Sequence, residues 1–303
     1  MQKLINALMA FADAAQIMTD EPMKNHTTFR VGGPADVCFF PKTADEVRCA
    51  MAAAAENGVP CMVMGNGSNM VVRDGGIRGL VIIIGDRFAD IKVSGTHISC
   101  QAGAMMSRLA AAAMENSLTG LEFAAGIPGT LGGGAVMNAG AYGGQLSDVL
   151  VSAEVLVDGH VVTYTRDMME MGYRTTRPLR EGSIVLSAEF ELHEGEREAI
   201  SATMKDLNGR RRDKQPLNLP SAGSTFKRPE GYFAGALIEG ANLKGVSIGG
   251  AQVSEKHAGF IVNKGGATAA DILALIRHVQ KCVMDKDGVE LECEVRIVGE
   301  DAP

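Results

Sequence analysis

Gly126-Ile127-Pro128-Gly129-Thr130-Leu131-Gly132-Gly133-Gly134, followed by Asn138, Gly140, Gly143 and Gly144, packs eight glycines into nineteen residues. Glycine at that density weakens helix and strand alike, because each one adds backbone entropy that folding must remove and offers no side chain to pack. The arrangement makes sense where a flat or charged ligand has to lie against bare backbone. The run contains no Gly-Lys followed by Ser or Thr, which excludes a P-loop. Composition alone leaves two readings, a tortuous structural loop and a cradle for a cofactor.

A second glycine loop lies upstream. Gly65-Asn66-Gly67-Ser68-Asn69-Met70 comes directly after an apolar strand expected at 61–64. That position suits a dinucleotide fingerprint, but Met70 stands where the third glycine is needed, and Met70-Val71-Val72 continues as strand rather than helix. Such a loop can still hold a pyrophosphate. Successive backbone N–H groups around glycines form an anion-binding concavity, and Ser68 and Asn69 add polar side chains to it.

Three segments surround these loops. The first, 1–85, has an extended stretch at 36–41 and a helix opened by the capping box Thr43-Ala44-Asp45-Glu46 and closed at Gly58. The 61–64 strand follows, then a strand pair around the turn Arg73-Asp74-Gly75-Gly76. The second, 86–200, has strand-like stretches at 91–93, 151–157, 161–164 and 184–192, a hairpin at Asp158-Gly159, and a helix at 107–116 leading to the glycine run. It reads as mostly antiparallel sheet. The third, 201–303, begins in a helix around 199–212 and contains a periodic helix at 269–284, with Ile272, Leu275, Ile276 and Val279 at core spacing. It ends in a strict alternation at 289–297 that puts Glu290, Glu292, Glu294 and Arg296 on one strand face. The fold class expected is α+β.

Composition narrows the function. A chain of 303 residues exceeds the usual single core, so two or three lobes are expected, and 46% apolar with 21% charged residues is ordinary for a globular protein. A net charge of −7 leaves nucleic acid only the run Arg210-Arg211-Arg212 with Lys214, which reads as a solvated helix face, so no nucleic-acid partner is expected. Six cysteines without a C-x-x-C, and no histidine at ligand spacing, signal neither a zinc site nor a redox dithiol; free thiols fit a reducing compartment. Leu4, Leu8 and Phe11 are spaced for an amphipathic helix, and Asn6 and Asp13 interrupt what could pass for a signal core. No stretch approaches the roughly 20 apolar residues of a membrane span. The expectation is a cytoplasmic monomer with no bound metal and no membrane partner.

The two loops, in this order, resemble those of the UDP-N-acetylenolpyruvoylglucosamine reductases, flavoenzymes of bacterial cell-wall precursor synthesis. The resemblance extends to His26-Thr27-Thr28-Phe29-Arg30-Val31-Gly32-Gly33-Pro34-Ala35-Asp36, to Gly172-Tyr173-Arg174, and to Pro220-Ser221-Ala222-Gly223-Ser224-Thr225-Phe226-Lys227. Gln252-Val253-Ser254-Glu255-Lys256-His257-Ala258-Gly259-Phe260 and Glu294-Val295-Arg296 complete it, so it runs nearly the length of the chain. It implies a two-lobed FAD-binding domain of the vanillyl-alcohol-oxidase type, 1–85 and 86–200, plus a C-terminal α/β lobe, 201–303, for the UDP-sugar. The chain looks like the shorter branch of the family, which lacks a tyrosine-bearing insertion. NADPH would reduce the flavin and leave, and UDP-N-acetylglucosamine enolpyruvate would follow into the same cleft.

The resemblance also implies a site. FAD would be held by Gly65, Asn66, Gly67, Ser68 and Asn69 together with Gly126, Ile127, Pro128, Gly129, Gly132, Gly133, Asn138 and Gly140. The substrate would meet Tyr142, Tyr173, Lys214, Lys227, Gln252 and His257. Hydride added to the terminal carbon of an enol ether leaves charge that delocalises into the carboxylate as an enolate, and the neighbouring carbon then needs a proton. By family match Ser224 donates that proton, Arg174 faces the enolate, and Glu294 bonds to the intermediate or orients its partners. A serine hydroxyl is a weak acid, so its role requires a supporting cation, for which Lys227 and Arg174 are candidates. Two positions depart from the family pattern: Arg228 stands where Asn is frequent and Thr176 where Ser is common. A related FAD oxidase or a non-catalytic UDP-sugar sensor would not need Arg174, Ser224 and Glu294 together.

Overall fold

A computed structural model describes residues 1–302, a mixture of helices and sheets. They form two compact units, one of Met1–Met18, Val37–Asn66 and Gly79–Arg211, the other of Thr19–Asp36, Gly67–Arg78 and Arg212–Pro303.

The first unit has two apolar clusters. In one, Leu4 and Leu8 of the Gln2–Met9 helix are fully buried against Val47, Ala50 and Leu80, and Phe11 meets Phe39 edge-on at 6.0 Å. Leu4 and Leu8 therefore belong to the core. The Ala44–Glu56 helix starts as its sequence suggests: Thr43 accepts from the Glu46 N–H at 3.1 Å. The return bond of the capping box is redirected, since the Glu46 carboxylate accepts from the N–H of Lys42, at 2.7 Å, rather than of Thr43. The Cys61–Met64 strand lies parallel to Ile77–Ile83.

The second cluster packs under a five-stranded antiparallel sheet. Its hairpin, Leu150–Val157 with His160–Thr165, turns at Asp158 and Gly159, both at positive φ (48° and 80°), as a two-residue type I′ turn requires. The glycine run is less irregular than its composition suggests, because Gly132, Gly133 and Gly134 lie inside a short helix, Leu131–Val136. Packing overrides propensity there: a Cβ on Gly132 would stand 2.9 Å from the Ala102 Cβ and one on Gly134 3.0 Å from the Met106 sulfur, so only bare helix faces fit.

In the second unit, the strands Ser247–Ile248, Ala251–Val253 and Ile261–Asn263 form an antiparallel meander. The Ala269–Asp287 helix packs Ile272, Leu275, Ile276 and Val279 into one core with Val253, Ile261, Phe29 and Val71. Thr268 and Asp271 make its capping box and Gly288 ends it at φ 66°. Both oxygens of Asp74 add to that N-terminus, accepting from the N–H groups of Ala269 at 2.8 Å and Ala270 at 2.9 Å.

Two sequence expectations change here. The turn 73–76 joins no hairpin, because Met70–Val72 pairs in parallel with Arg296–Val298. The alternating stretch 289–297 is not one strand either; only Arg296–Val298 is extended and paired, and Cys293 makes a single bridge to Phe226. Alternation does sort the faces, with Leu291 and Val295 buried, but it carries no information about partners.

The six cysteines are free. Burial pushes the Cys100 thiol up to about 12, which keeps it protonated and unreactive. Among the described residues, no helix is long and apolar enough to cross a membrane.

Candidate active site

In the first unit the two glycine loops touch. Asn66 Nδ2 donates to the Pro128 carbonyl at 2.6 Å, and a Cβ on Gly65 would collide with the Thr130 hydroxyl, so Gly65 must be glycine for the loops to close. Ile127 follows the 3₁₀ turn Glu122–Gly126, the Gly129 carbonyl accepts from the Met106 N–H at 3.0 Å, and a Cβ on Gly133 would meet nothing. Gly126 is covered by the Arg197–Lys214 helix: a Cβ there would stand 2.5 Å from Asn208 Oδ1 and 2.8 Å from Arg211 Nη1.

Arg211 is the residue that the sequence reading missed. Its Nε and Nη1 are buried and hydrogen-bond to nothing, the one such side chain among the described residues. Burial lowers its pKa, and the neighbouring Tyr142 hydroxyl opposes that in part. A signal was present. Arg211 falls in helical phase with Ile200, Met204 and Leu207, which face inward to varying degrees, whereas Arg210 points outward and pairs with Asp206 at 2.8 Å.

Downstream in the run, Asn138 is 2% exposed and uses both ends of its amide internally. Nδ2 donates to the Gly172 carbonyl at 3.1 Å, and Oδ1 accepts from the Ser147 N–H at 3.0 Å. Arg174, half-buried, donates to the Gly140 carbonyl at 3.4 Å and holds its guanidinium 5.4 Å from the centre of the Tyr173 ring. Tyr173 and Tyr142 are 60% and 45% exposed, as residues that await a ligand can be.

In the second unit, Thr225 is a junction. Its N–H donates to Gly259 O at 2.9 Å, its hydroxyl accepts from the Ile261 N–H at 3.2 Å, and its carbonyl accepts from the Glu294 N–H at 2.9 Å. Ser224, exposed, directly precedes this junction in the chain, and half-buried Glu294 is tied to the junction through its backbone N–H. Asn69 joins them from the upstream loop, donating through Nδ2 to the Glu294 carbonyl at 3.1 Å. Gly67, at φ 58°, accepts from the Thr28 N–H, and Ser68 between them is half-buried.

The residues expected at the substrate are arranged variously. Lys227 pairs with Glu292, and Lys214 is exposed at the helix end. Gln252, 7% exposed, donates to the Gly245 carbonyl at 2.9 Å. His257 Nδ1 accepts from the Gly259 N–H at 3.1 Å, which places the ring proton on Nε2, and burial holds its pKa below the ordinary value. Gln252 and His257 thus shape their own loops. Arg228 lies 4.0 Å from the centre of the exposed Phe233 ring.

Comparison with known proteins supplies the family. Residues 215–298 match the profile of the UDP-N-acetylenolpyruvoylglucosamine reductase C-terminal domain, and 35–165 that of an FAD binding domain. The chain is 50% identical over 305 aligned residues to the UDP-N-acetylenolpyruvoylglucosamine reductase of Clostridium botulinum (strain Hall), with 99% of each covered. The chain belongs to the UDP-N-acetylenolpyruvoylglucosamine reductase family. The family member of that name from Clostridioides difficile (strain 630) is 48% identical, with 97% of each covered. The crystal structure of the reductase from Thermus caldophilus superposes with a TM-score of 0.80 at 34% identity, over 93% of this chain and 98% of that one. Alkyldihydroxyacetonephosphate synthase, at TM-score 0.51 and 18% identity over 64% of this chain, shares the fold of the FAD-binding part.

As a member of this reductase family the chain is an FAD-dependent oxidoreductase, and the first unit fits the cofactor on physical grounds. Two loops close through bare backbone at Gly65. A buried guanidinium beside Gly126 has two nitrogens whose N–H bonds nothing in the protein satisfies, a state costly enough to imply an external acceptor.

Proposed function

We propose that the chain reduces UDP-N-acetylglucosamine enolpyruvate to UDP-N-acetylmuramate, a step of peptidoglycan precursor synthesis, with NADPH as reductant. It would act as a cytoplasmic monomer without nucleic-acid or membrane partners. Bound FAD supplies a hydride relay from NADPH to the terminal enolpyruvyl carbon. Residues 65–69 and 126–129 with Gly132, Gly133 and Gly140 would hold it, with Arg211 as an added donor. The lobe division 1–85, 86–200 and 201–303 belongs to the same proposal; the family profiles at 35–165 and 215–298 support its separation of an FAD-binding part from a C-terminal part.

The chain's own groups do the rest. The Arg174 guanidinium is the cation toward which the enolate's charge develops, and Tyr173 shields one face of it. Ser224 delivers the proton, and Glu294 bonds to the intermediate or orients its partners. Lys227, which pairs with Glu292, and Arg174 are the two candidates for the cation that supports a serine alkoxide. Tyr142, Tyr173, Lys214 and Lys227 offer cationic and aromatic contacts to the nucleotide sugar.

The observation that best supports this reading is the Thr225 junction, three hydrogen bonds that fix the backbone next to Ser224 and tie it to the backbone N–H of Glu294. Removing a general acid costs about 10²- to 10⁴-fold in rate. A Ser224→Ala enzyme should therefore keep its flavin and accept hydride from NADPH normally, yet reoxidise with the enolpyruvyl sugar at least about a hundredfold more slowly. Reoxidation at the parent rate would remove Ser224 from the chemistry.

A further inference from the structure

The turn that carries Arg174 has an unusual foundation. Gly172 and Thr175 close it by exchanging backbone hydrogen bonds at 2.9 and 3.4 Å, and Arg174 inside it sits at φ 55°. A non-glycine residue in the left-handed region costs about 1 kcal/mol or more and persists only where its surroundings hold it. Two anchors do so, and both come from the glycine run. On one side the Thr176 hydroxyl, fully buried, donates to the Val136 carbonyl at 2.7 Å while capping the Arg177–Glu181 helix. On the other, Asn138 Nδ2 donates to the Gly172 carbonyl. Asn138 is itself at φ 43°, a conformation that asparagine tolerates better than other side chains, so it can rise out of the Leu131–Val136 helix end and turn its amide inward.

The family pattern puts Asn138 among the cofactor residues, yet at 2% exposure its donors already serve Gly172 and its acceptor Ser147. We infer that Asn138 is a positioning residue for Arg174: it ties the glycine run to the Gly172 carbonyl and so fixes the turn that aims the guanidinium at the developing enolate. The inference rests on the assignment of Arg174 made above. Its consequence is that part of the glycine run serves the substrate's chemistry rather than the flavin. Substitution should then affect only the half of the reaction in which Arg174 acts. A misplacement of about 1 Å can cost on the order of a hundredfold in rate.

The test uses the FAD-loaded enzyme carrying Asn138→Gly, which removes the amide while leaving the positive φ accessible. Flavin stoichiometry and reduction by NADPH should stay at parent values, while reoxidation by the enolpyruvyl sugar slows about 10- to 100-fold. In an Arg174→Lys background the same substitution should slow reoxidation less than about twofold, because the group to be aimed is gone. Thr176→Val, which removes the other anchor, should reproduce the selective loss and serves if Asn138→Gly folds poorly. Loss of flavin from Asn138→Gly, or slowing that multiplies in the double variant, would overturn the inference. A slow Arg174→Lys enzyme beside an unimpaired Asn138→Gly enzyme would overturn it alone. An unimpaired Arg174→Lys enzyme would instead overturn the assignment of Arg174, and the inference with it.

Discussion

Replacing Arg211 by Met should make the FAD-free protein more stable and the FAD complex weaker, an opposition that few substitutions produce. In the free protein two guanidinium nitrogens, Nε and Nη1, are buried without acceptors, and the Tyr142 hydroxyl nearby only partly offsets the cost of burial. Each unsatisfied donor costs about 1–3 kcal/mol, and replacing a buried ion by an apolar side chain of similar length gains about 1–4 kcal/mol in other proteins. Taking about 1–2 kcal/mol, because Tyr142 and partial exposure reduce the effect, the Tm of the apoprotein should rise by about 2–8 °C. In the FAD complex the same group would give one or more charge-assisted hydrogen bonds, each about 1.5–3 kcal/mol, so its loss should raise the Kd for FAD by about 10- to 150-fold. Thermal melts of apoprotein with and without FAD, together with a flavin fluorescence titration, measure both. An Arg211→Met apoprotein that melts lower and binds FAD as the parent does would refute the reasoning, since Arg211 would then be an anchor for its helix.

Other outcomes follow from single contacts. Gly65→Ala should drive a methyl into the Thr130 hydroxyl and lower flavin stoichiometry, and Thr130→Ala in the same chain should restore much of it; equal losses in both would show that the loops do not meet there. Asp74→Ala removes two N-cap bonds and a negative charge from the start of the Ala269–Asp287 helix and should cost about 1–2 kcal/mol in chemical denaturation, with no change in flavin content. Burial depresses the His257 pKa, so as pH falls the unfolded chain takes up that proton first. The contribution is therefore intact above the unfolded value of about 6.5 and is lost as pH falls from there toward the lower folded value. His257→Asn, which keeps an acceptor for the Gly259 N–H, should flatten that part of the denaturation profile.

Local features were readable in the sequence where one segment decides its own structure. Asp158-Gly159 specifies a type I′ turn whatever surrounds it, and the 269–284 pattern places its own apolar stripe, with Thr268 and Gly288 marking the true ends one residue before and four after. Strand partnership was not readable. Met70–Val72 lies beside a convincing turn but pairs with Arg296–Val298, more than 200 residues on, because a two-residue period selects a face and not a neighbour. Propensity failed at the Leu131–Val136 helix for the opposite reason: the space beside Ala102 and Met106 disfavours a side chain at Gly132 and Gly134, though not at Gly133.

At the site, residue types were legible and their connections were not. Asn69 and Glu294 are 225 positions apart, and nothing in either segment announces the bond between them. Asn138 and Gln252 were expected to touch ligands, and each also holds a carbonyl of its own scaffold, a bond that the sequence does not announce. Arg211 was passed over because three adjacent arginines look like a solvated face; its phase with Ile200 and Met204 was the available correction.

The central claim, a flavin that passes hydride from NADPH to an enolpyruvyl nucleotide sugar, is tested most directly by one anaerobic absorbance trace of the holoenzyme. A stoichiometric amount of NADPH should bleach the flavin, and a stoichiometric amount of UDP-N-acetylglucosamine enolpyruvate should then restore its colour and yield UDP-N-acetylmuramate. A flavin that NADPH reduces but that only oxygen, and not the sugar, reoxidises would contradict the account.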